Sequence, residues 1–414
     1  MHKPVDSRIY WIWLQRAIPL GSRDAGRILQ NGLRPETLYA AAGPELEAMG
    51  FAGRSLDGLC LKSLEEAEGI LQALLGVGDY LLTPDDAYYP ALLRPLTGGP
   101  LALYCRGELP NLEITPAFGI VGTRHPTESG RQNAASLAAG LAAAGLVVVS
   151  GGAVGIDGAA HLGAVRAGGR TVLVKAGPLD SSYPVENAGL REEILSSGGL
   201  ILSEYPPGSR EPCNFHVRNR LISGLSLGVC LVETPKRSGA LITAACAREQ
   251  GRDVFAMPGD VPAHRNDGAH RLIQEGAGLV TRAEDILIEY EARWPGLLDF
   301  EAAGKAQEAM AVFQGGKVRA ARRPEPPKPS PPRRTERRPE PPAVGEKPVP
   351  LPDGASAHAS QVYACLGLAP VSADEIAGKT GLPAGTVLAA LTELELLGCA
   401  RSGAGQSYRL NTAD

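Results

Sequence analysis

FGIVGTRHP (118–126) and VVVSGGAVGIDGAAH (147–161), with FHVRNRLISG (215–224) and KRSGALIT (236–243) further on, decide the reading of this chain. In each block, apolar and small residues meet a basic, amide or hydroxyl side chain. A short apolar run that stops at glycine is the pattern of a strand covered on both faces. A glycine turn leading from such a strand into a helix places unpaired N–H groups at the strand's carboxyl end, where they can hold phosphate.

Working outward, further apolar runs predict strands at 118–122, 146–150, 171–175, 200–203, 228–233, 253–256 and 278–281. Helical patterns fill the gaps at 128–144, 156–168, 187–197, 216–226, 239–250 and 268–276. This alternation implies an α/β fold, an extended Rossmann-like, doubly wound and mainly parallel sheet over residues 76–290. Its lead-in, 78–112, reads as irregular with short strands and carries Tyr88, Tyr89, Pro90, Pro95 and Pro100. Residues 1–75 read as a domain of short helices. There IPLGSRDAGRILQNGL (18–33) suggests a helix–turn–helix of the helix-hairpin-helix or SAM-like kind, either packing only or touching a phosphate backbone through its glycine turn.

From 300 the character changes. The stretch 317–342 is rich in proline and arginine without apolar periodicity, so 300–354 is expected to be a disordered linker. Residues 355–414 recover a winged-helix pattern. Ser372 and Glu375 form a capping box, 383–398 makes a third helix, and 399–410 makes a hairpin wing. The third helix carries Thr386, Thr392, Glu393 and Glu395 and no basic residue, which argues for a protein-contact module over major-groove reading.

The length of 414 residues fits two to four domains, and a hydrophobic content of 44% supports a sizeable core. A net charge of −4 excludes a chain that is basic overall, so any basic patch is local. Seven scattered cysteines without a CxxC pair read as reduced thiols rather than disulfides or a metal site. No apolar stretch reaches about 18 residues and no secretory start is visible, so a cytoplasmic protein with no membrane association is expected.

The candidate site follows from the four stretches. Gly122, Thr123 and Arg124 form a turn with a cation over the sheet edge. Ser150, Gly151 and Gly152 repeat the device one crossover later. The spacing differs from the dinucleotide fingerprint, and Lys175 closes the next strand where an acidic ribose ligand belongs, which disfavours NAD. Asp157 and His161 lie four apart on one helical face and read as structural, hydrogen-bonding to cap or lock the helix, ahead of an acid–base pair. Phe215, Arg218, Asn219 and Arg220 combine a stacking face, planar charge and an amide, the composition of a single-strand binder. Lys236, Arg237, Ser238 and Gly239 precede another helix aimed at the same edge.

Taken in order, VGTRHPT, SGGAVGIDGAAHLGA, SSYPVEN, SEYPPG, FHVRNRLISGLS, SGALIT, AREQGRDVFAMPG and LIQEGA resemble the DprA/Smf DNA-processing proteins over about 80–282. The resemblance implies a protein that binds single-stranded DNA, protects it and loads RecA recombinase onto it during natural transformation. It further implies a homodimer formed through about 230–280, and needs no catalytic residue, metal or cofactor. It carries DNA-binding roles to Arg124, the Ser150–Gly151 loop, Phe215, Arg218, Asn219 and Arg220. The chain departs from the family at His216, where proline is usual, at VLVKAGPLD (172–180) and at DGAH (267–270). The competing enzyme reading is a nucleotide N-glycosidase of the lysine-decarboxylase-like type. Those proteins use a PGGxGTxxE loop, whereas KRSGALITAACA lacks the second glycine pair and the glutamate. A sequence-specific regulator acting through the winged helix is a third reading, which the acidic third helix opposes.

Overall fold

The structure is a computed structural model that describes residues 6–312, 350–352, 355–367, 371–403 and 407–411. The chain divides into two compact units, Met1–Arg319 and Ala320–Asp414. The greater part of the expected linker, 313–349, lies outside the described residues, as does the tip of the expected wing, 404–406.

Helices α1 (Ser7–Ala17), α2 (Arg23–Gln30), α3 (Pro35–Ala40), α4 (Gly43–Ala48), α5 (Gly53–Cys60) and α6 (Glu65–Gly76) open the first unit. Strands β1 (Tyr80–Leu82), β2 (Leu103–Gly107), β3 (Ala117–Gly122), β4 (Val147–Ser150), β5 (Thr171–Val174), β6 (Leu200–Ser203), β7 (Gly228–Val232), β8 (Asp253–Ala256) and β9 (Gly278–Leu279) then form one nine-stranded sheet among the described residues. Their order is β1-β2-β6-β5-β4-β3-β7-β8-β9. From β6 to β9 every neighbouring pair is parallel, and β2 and β1 extend that array in antiparallel fashion. The crossovers run through α7 (Glu128–Ala143), α8 (Ile156–Arg166), α9 (Ala188–Ser196), α10 (Phe215–Gly224), α11 (Ala240–Glu249) and α12 (Asp267–Gln274), followed by α13 (Glu284–Tyr290) and α14 (Phe300–Val312).

The seven strands expected from the sequence all belong to the parallel array. Val147–Val149, Val172–Val174 and Leu200–Leu202 are buried throughout, as apolar runs covered on both faces require. Caps fix the helix starts: Thr127 Oγ1 accepts from Gly130 N at 3.0 Å, and Asn214 Oδ1 accepts from Val217 N at 3.1 Å.

Two expectations need correction. The N-terminal helices share one hydrophobic core with the sheet, where Trp11, Ile12, Leu14, Leu46 and Leu74 pack with Tyr104, Leu173 and Ile201. The turn at Gly21 (φ +71°) faces protein. A Cβ there would lie 3.1 Å from Arg220 Nε and from a methyl of Val217, which supports the packing reading over a phosphate contact. The expected linker begins at 300, yet Phe300–Val312 is helical, and Gln307 Oε1 accepts from Ala283 N at 2.8 Å. Its run FEAAGKAQEAMAV is rich in strong helix formers, which outweigh the proline-rich sequence that follows.

In the second unit α15 (Ala357–Tyr363), α16 (Ala373–Thr380) and α17 (Ala384–Leu396) pack with β10 (Val371–Ser372), β11 (Ala400–Gly403) and β12 (Ser407–Leu410). The strand order is β10-β12-β11, and β11 and β12 pair antiparallel as a wing. Val362, Ile376, Val387, Leu391 and Leu394 form its core. Ser372 Oγ caps α16 by accepting from Glu375 N at 3.2 Å. Glu393 holds the start of α15, accepting from Ser356 N at 2.8 Å and Ser356 Oγ at 2.6 Å.

Candidate nucleic-acid interface

The chain builds β3 through β6 outward in one direction and then returns to place β7, β8 and β9 on the other side of β3. The boundary between β3 and β7 is therefore the topological switch point, where an open parallel sheet leaves a crevice at its carboxyl edge. A cleft of about 360 Å³ occupies that position, lined by Gly122, Thr123, Arg124, Phe215, Arg218 and Arg237 among others. A smaller hollow of about 60 Å³ lies beside it, with Gly151, Gly152, Lys175 and Tyr183 in its wall. Arg124 and Phe215 line both.

Glycine is required where β3 ends, because a Cβ on Gly122 would stand 2.0 Å from the carbonyl oxygen of Val232. Thr123 N donates to Glu233 O at 3.3 Å, Thr123 O accepts from Ile156 N at 3.2 Å, and Thr123 Oγ1 accepts from His125 N at 3.2 Å. Arg124 is exposed, with its guanidinium carbon 4.5 Å from the centroid of the Phe215 ring, a cation–π contact. The ring of Tyr183 approaches Phe215 edge-on at 6.2 Å.

The second loop is held from within. Ser150 is fully buried and its hydroxyl donates to Ile120 O at 2.6 Å, so it ties β4 to β3 and does not face a ligand. Asn187 Nδ2 donates to Gly152 O at 3.0 Å and Ala153 O at 3.1 Å. Gly152 has φ +65°, a region that glycine occupies freely.

Arg218 forms the floor of the cleft, only 5% exposed. Its Nη1 donates to Gly151 O at 2.5 Å and to Val174 O, and its Nε donates to Asn219 Oδ1 at 3.2 Å. Burial lowers its pKa to about 10, which leaves it charged at neutral pH. Burial also raises the pKa of Asp157, while the Arg218 charge pulls it back down. His161 is fully buried, its Nδ1 2.7 Å from Thr171 Oγ1. The Thr171 hydroxyl donates to Val148 O, which assigns the shared proton of the His161–Thr171 bond to Nδ1. Burial pushes the His161 pKa down to about 3, so the imidazole is neutral at physiological pH. This geometry supports the structural reading of Asp157 and His161.

The remaining candidates are dispersed. Asn219 donates to Gly239 O at 3.3 Å and so fastens α10 to the 234–239 loop, which is the loop-orienting use of its amide. Arg220 points away from the cleft. It sits 11% exposed against Glu204, Nη2 donating to Oε1 at 2.6 Å and Oε2 at 2.7 Å. Lys175 is buried, its ammonium donating to Leu179 O at 3.4 Å and Ser181 O at 2.5 Å, and burial lowers its pKa to about 8. Lys236 and Arg237 are both exposed, but Arg237 lines the cleft together with Ser238 and Gly239.

Sequence reasoning gave no role to Glu233, Asn187 or Tyr183. SSYPVEN carries two of them, and their proximity to the glycine loop depends on the β5–β6 crossover folding back over it. Among the described residues no group of three or more His, Cys, Asp or Glu side chains is placed to hold a metal ion.

The family model of DNA recombination-mediator protein A matches residues 80–291, and that of the DprA winged helix domain matches 346–406. The chain therefore belongs to the DNA recombination-mediator protein A family, the DprA/Smf proteins. It is 36% identical to Protein Smf of Synechocystis over 334 residues, 79% of each chain. Against a DprA of Mycobacterium tuberculosis it is 42% identical over 239 residues, 55% of this chain, and it spans only 61% of that relative's length. The crystal structure of DNA processing protein A from Streptococcus pneumoniae superposes with a TM-score of 0.58 at 33% identity, covering 70% of this chain and 99% of that one.

Proposed function

We propose that this chain is a non-catalytic mediator that binds single-stranded DNA at the carboxyl edge of its sheet, shields it and passes it to a RecA-type recombinase. One observation carries the reading: the exposed guanidinium of Arg124 lies over Phe215 at the switch point, between glycine loops that cannot accept side chains. Arginine planes and aromatic rings stack bases, and the arginine charge attracts phosphate. Arg237 adds a second exposed cation to the same cleft. Lys175 and Arg218 supply charge from beneath, so the patch is basic although the chain carries −4.

Family membership supports the recombinase hand-off. Dimerisation through about 230–280 is part of the proposal, and the exposed apolar Val261 and Leu279 on that stretch agree with it. A glycosidase is not supported: in the cleft Asp157 is buried under Arg218, and His161 is neutral and enclosed.

The test is fluorescence anisotropy of labelled oligo-dT across a salt series, with Arg124→Ala and Phe215→Ala beside wild type. Each phosphate contact on a single strand contributes about 0.7 to the slope of log K against log salt, so Arg124→Ala should flatten it by about that amount. Loss of stacking should cost Phe215→Ala about 1–3 kcal/mol. Blunt duplex should bind more weakly than oligo-dT, and equal affinity for the two would refute single-strand recognition.

A further inference from the structure

Glu233, the residue just past β7, has no part in the proposed grip on DNA, yet it is unusually constrained. It adopts φ +44°, where non-glycine residues are uncommon, and its side chain is 5% exposed, buried behind the turn that carries Arg124. Such a conformation persists only where the surroundings over-determine it. A buried carboxylate is also costly unless hydrogen-bonded, so its presence calls for a structural role.

The hydrogen bonds show that role. The Glu233 carboxylate accepts from Thr127 N at 2.9 and 3.0 Å and from Thr127 Oγ1 at 2.5 Å. Its own carbonyl accepts from Thr123 N at 3.3 Å. Residues 123 and 127 are the two ends of the turn that carries Arg124, and both are fastened to this one residue. A Cβ on Gly130 would stand 1.9 Å from Glu233 Oε2, so the first turn of α7 is pressed against the carboxylate. On the other side Thr234 N donates to Asn266 Oδ1 at 2.9 Å, and Thr234 O accepts from Gly268 N at 2.9 Å. The loop bearing Arg237 starts from that anchor. Arg265 Nη1, 3.6 Å from Oε1, offsets the negative charge.

We propose that Glu233 is a positioning residue: it locks the Arg124 turn in register with the 234–239 loop, so that the two walls of the cleft present one phosphate-binding surface. This rests on the single-strand reading above. Thr123, Thr127 and Glu233 would act as one latch, with Arg124 as the part that touches DNA.

A double-mutant cycle on the full chain tests it, using oligo-dT as probe and Arg124→Ala, Glu233→Ala and the pair. Expected is a loss of affinity in each single variant, with the pair no weaker than Glu233→Ala to within about twofold. Glu233→Gln, which keeps one oxygen for Thr127 N–H, should restore most of the affinity. Independent, multiplying losses would overturn the proposal, because a general loss of stability does not cancel the effect of Arg124. Amide hydrogen exchange without DNA supplies the second arm. Exchange should accelerate across 122–130 in Glu233→Ala, or in Glu233→Gln should the alanine variant not fold, with the β4–β6 amides unchanged. Unaltered rates in 122–130 would refute the latch. Failure of wild type to bind oligo-dT would instead refute the single-strand reading, leaving the exchange arm to decide the latch.

Discussion

Replacing Arg220 with methionine separates a DNA contact from a structural ion pair. Arg220 and Glu204 are 11% and 4% exposed, and one guanidinium nitrogen donates to both carboxylate oxygens at 2.6 and 2.7 Å. Removing one member of a buried pair leaves the other charged and unpaired, which costs about 3–5 kcal/mol. Arg220→Met should lower the stability of the first unit by that amount in urea unfolding at neutral pH. The folded fraction should bind oligo-dT with wild-type affinity.

The pH dependence sharpens the prediction. Burial raises the Glu204 pKa and Arg220 opposes it, so in the variant the carboxyl protonates at a higher pH still. A carboxyl whose folded pKa exceeds its unfolded value of about 4.3 favours folding at low pH, and that contribution is lost as pH rises through the folded value. The variant's deficit should therefore be full at neutral pH and shrink as pH falls toward the ordinary carboxyl range. Glu204→Gln combined with Arg220→Met should recover most of the loss. A variant as stable as wild type that binds oligo-dT tenfold more weakly would refute the assignment and return Arg220 to the DNA interface.

Gly151→Ala should cost about 1–3 kcal/mol in thermal unfolding and weaken oligo-dT binding, because its Cβ would lie 2.5 Å from both terminal nitrogens of the buried Arg218. An unchanged unfolding midpoint would show that Arg218 has room to move. With its pKa near 8, Lys175 carries its charge below that pH and loses it above. Oligo-dT affinity of wild type should therefore fall between pH 7 and 9, while Lys175→Met should show a flatter profile; parallel profiles would remove Lys175 from the interface.

Much of the architecture was legible because buried parallel strands leave short apolar runs, and glycine marks their ends. Short strands are expected in the lead-in, where β1 and β2 lie, but their bounds and antiparallel pairing were not legible, since a segment with prolines and aromatics gives no period-2 alternation and β2 pairs with the distant β6. In the site, the loops were legible, and the direction of the arginines follows from helical phase. Successive residues turn by about 100°, so Arg218 and Arg220 point to nearly opposite sides of α10 and cannot both face one cleft. Glu233 was hidden for a different reason. Its partners Thr127 and Arg265 lie 106 and 32 positions away, and it is the pairing of β7 with β3 on one side and β8 on the other that brings them to it.

The packing of α1 against the sheet also decides what the protein's own fluorescence can report. Trp11 and Trp13 are buried in that helix, their indole N–H groups donating to Asp85 and to Leu61 O at 2.8 Å each. The third tryptophan, Trp294, stacks edge-on with Tyr290. No indole lines either hollow at the sheet edge. Intrinsic emission will thus follow undocking of the helical layer and of the 290s segment, and a bound strand will be nearly silent in it. One cuvette can monitor folding while a dye on the DNA monitors occupancy, with little crosstalk between the two signals.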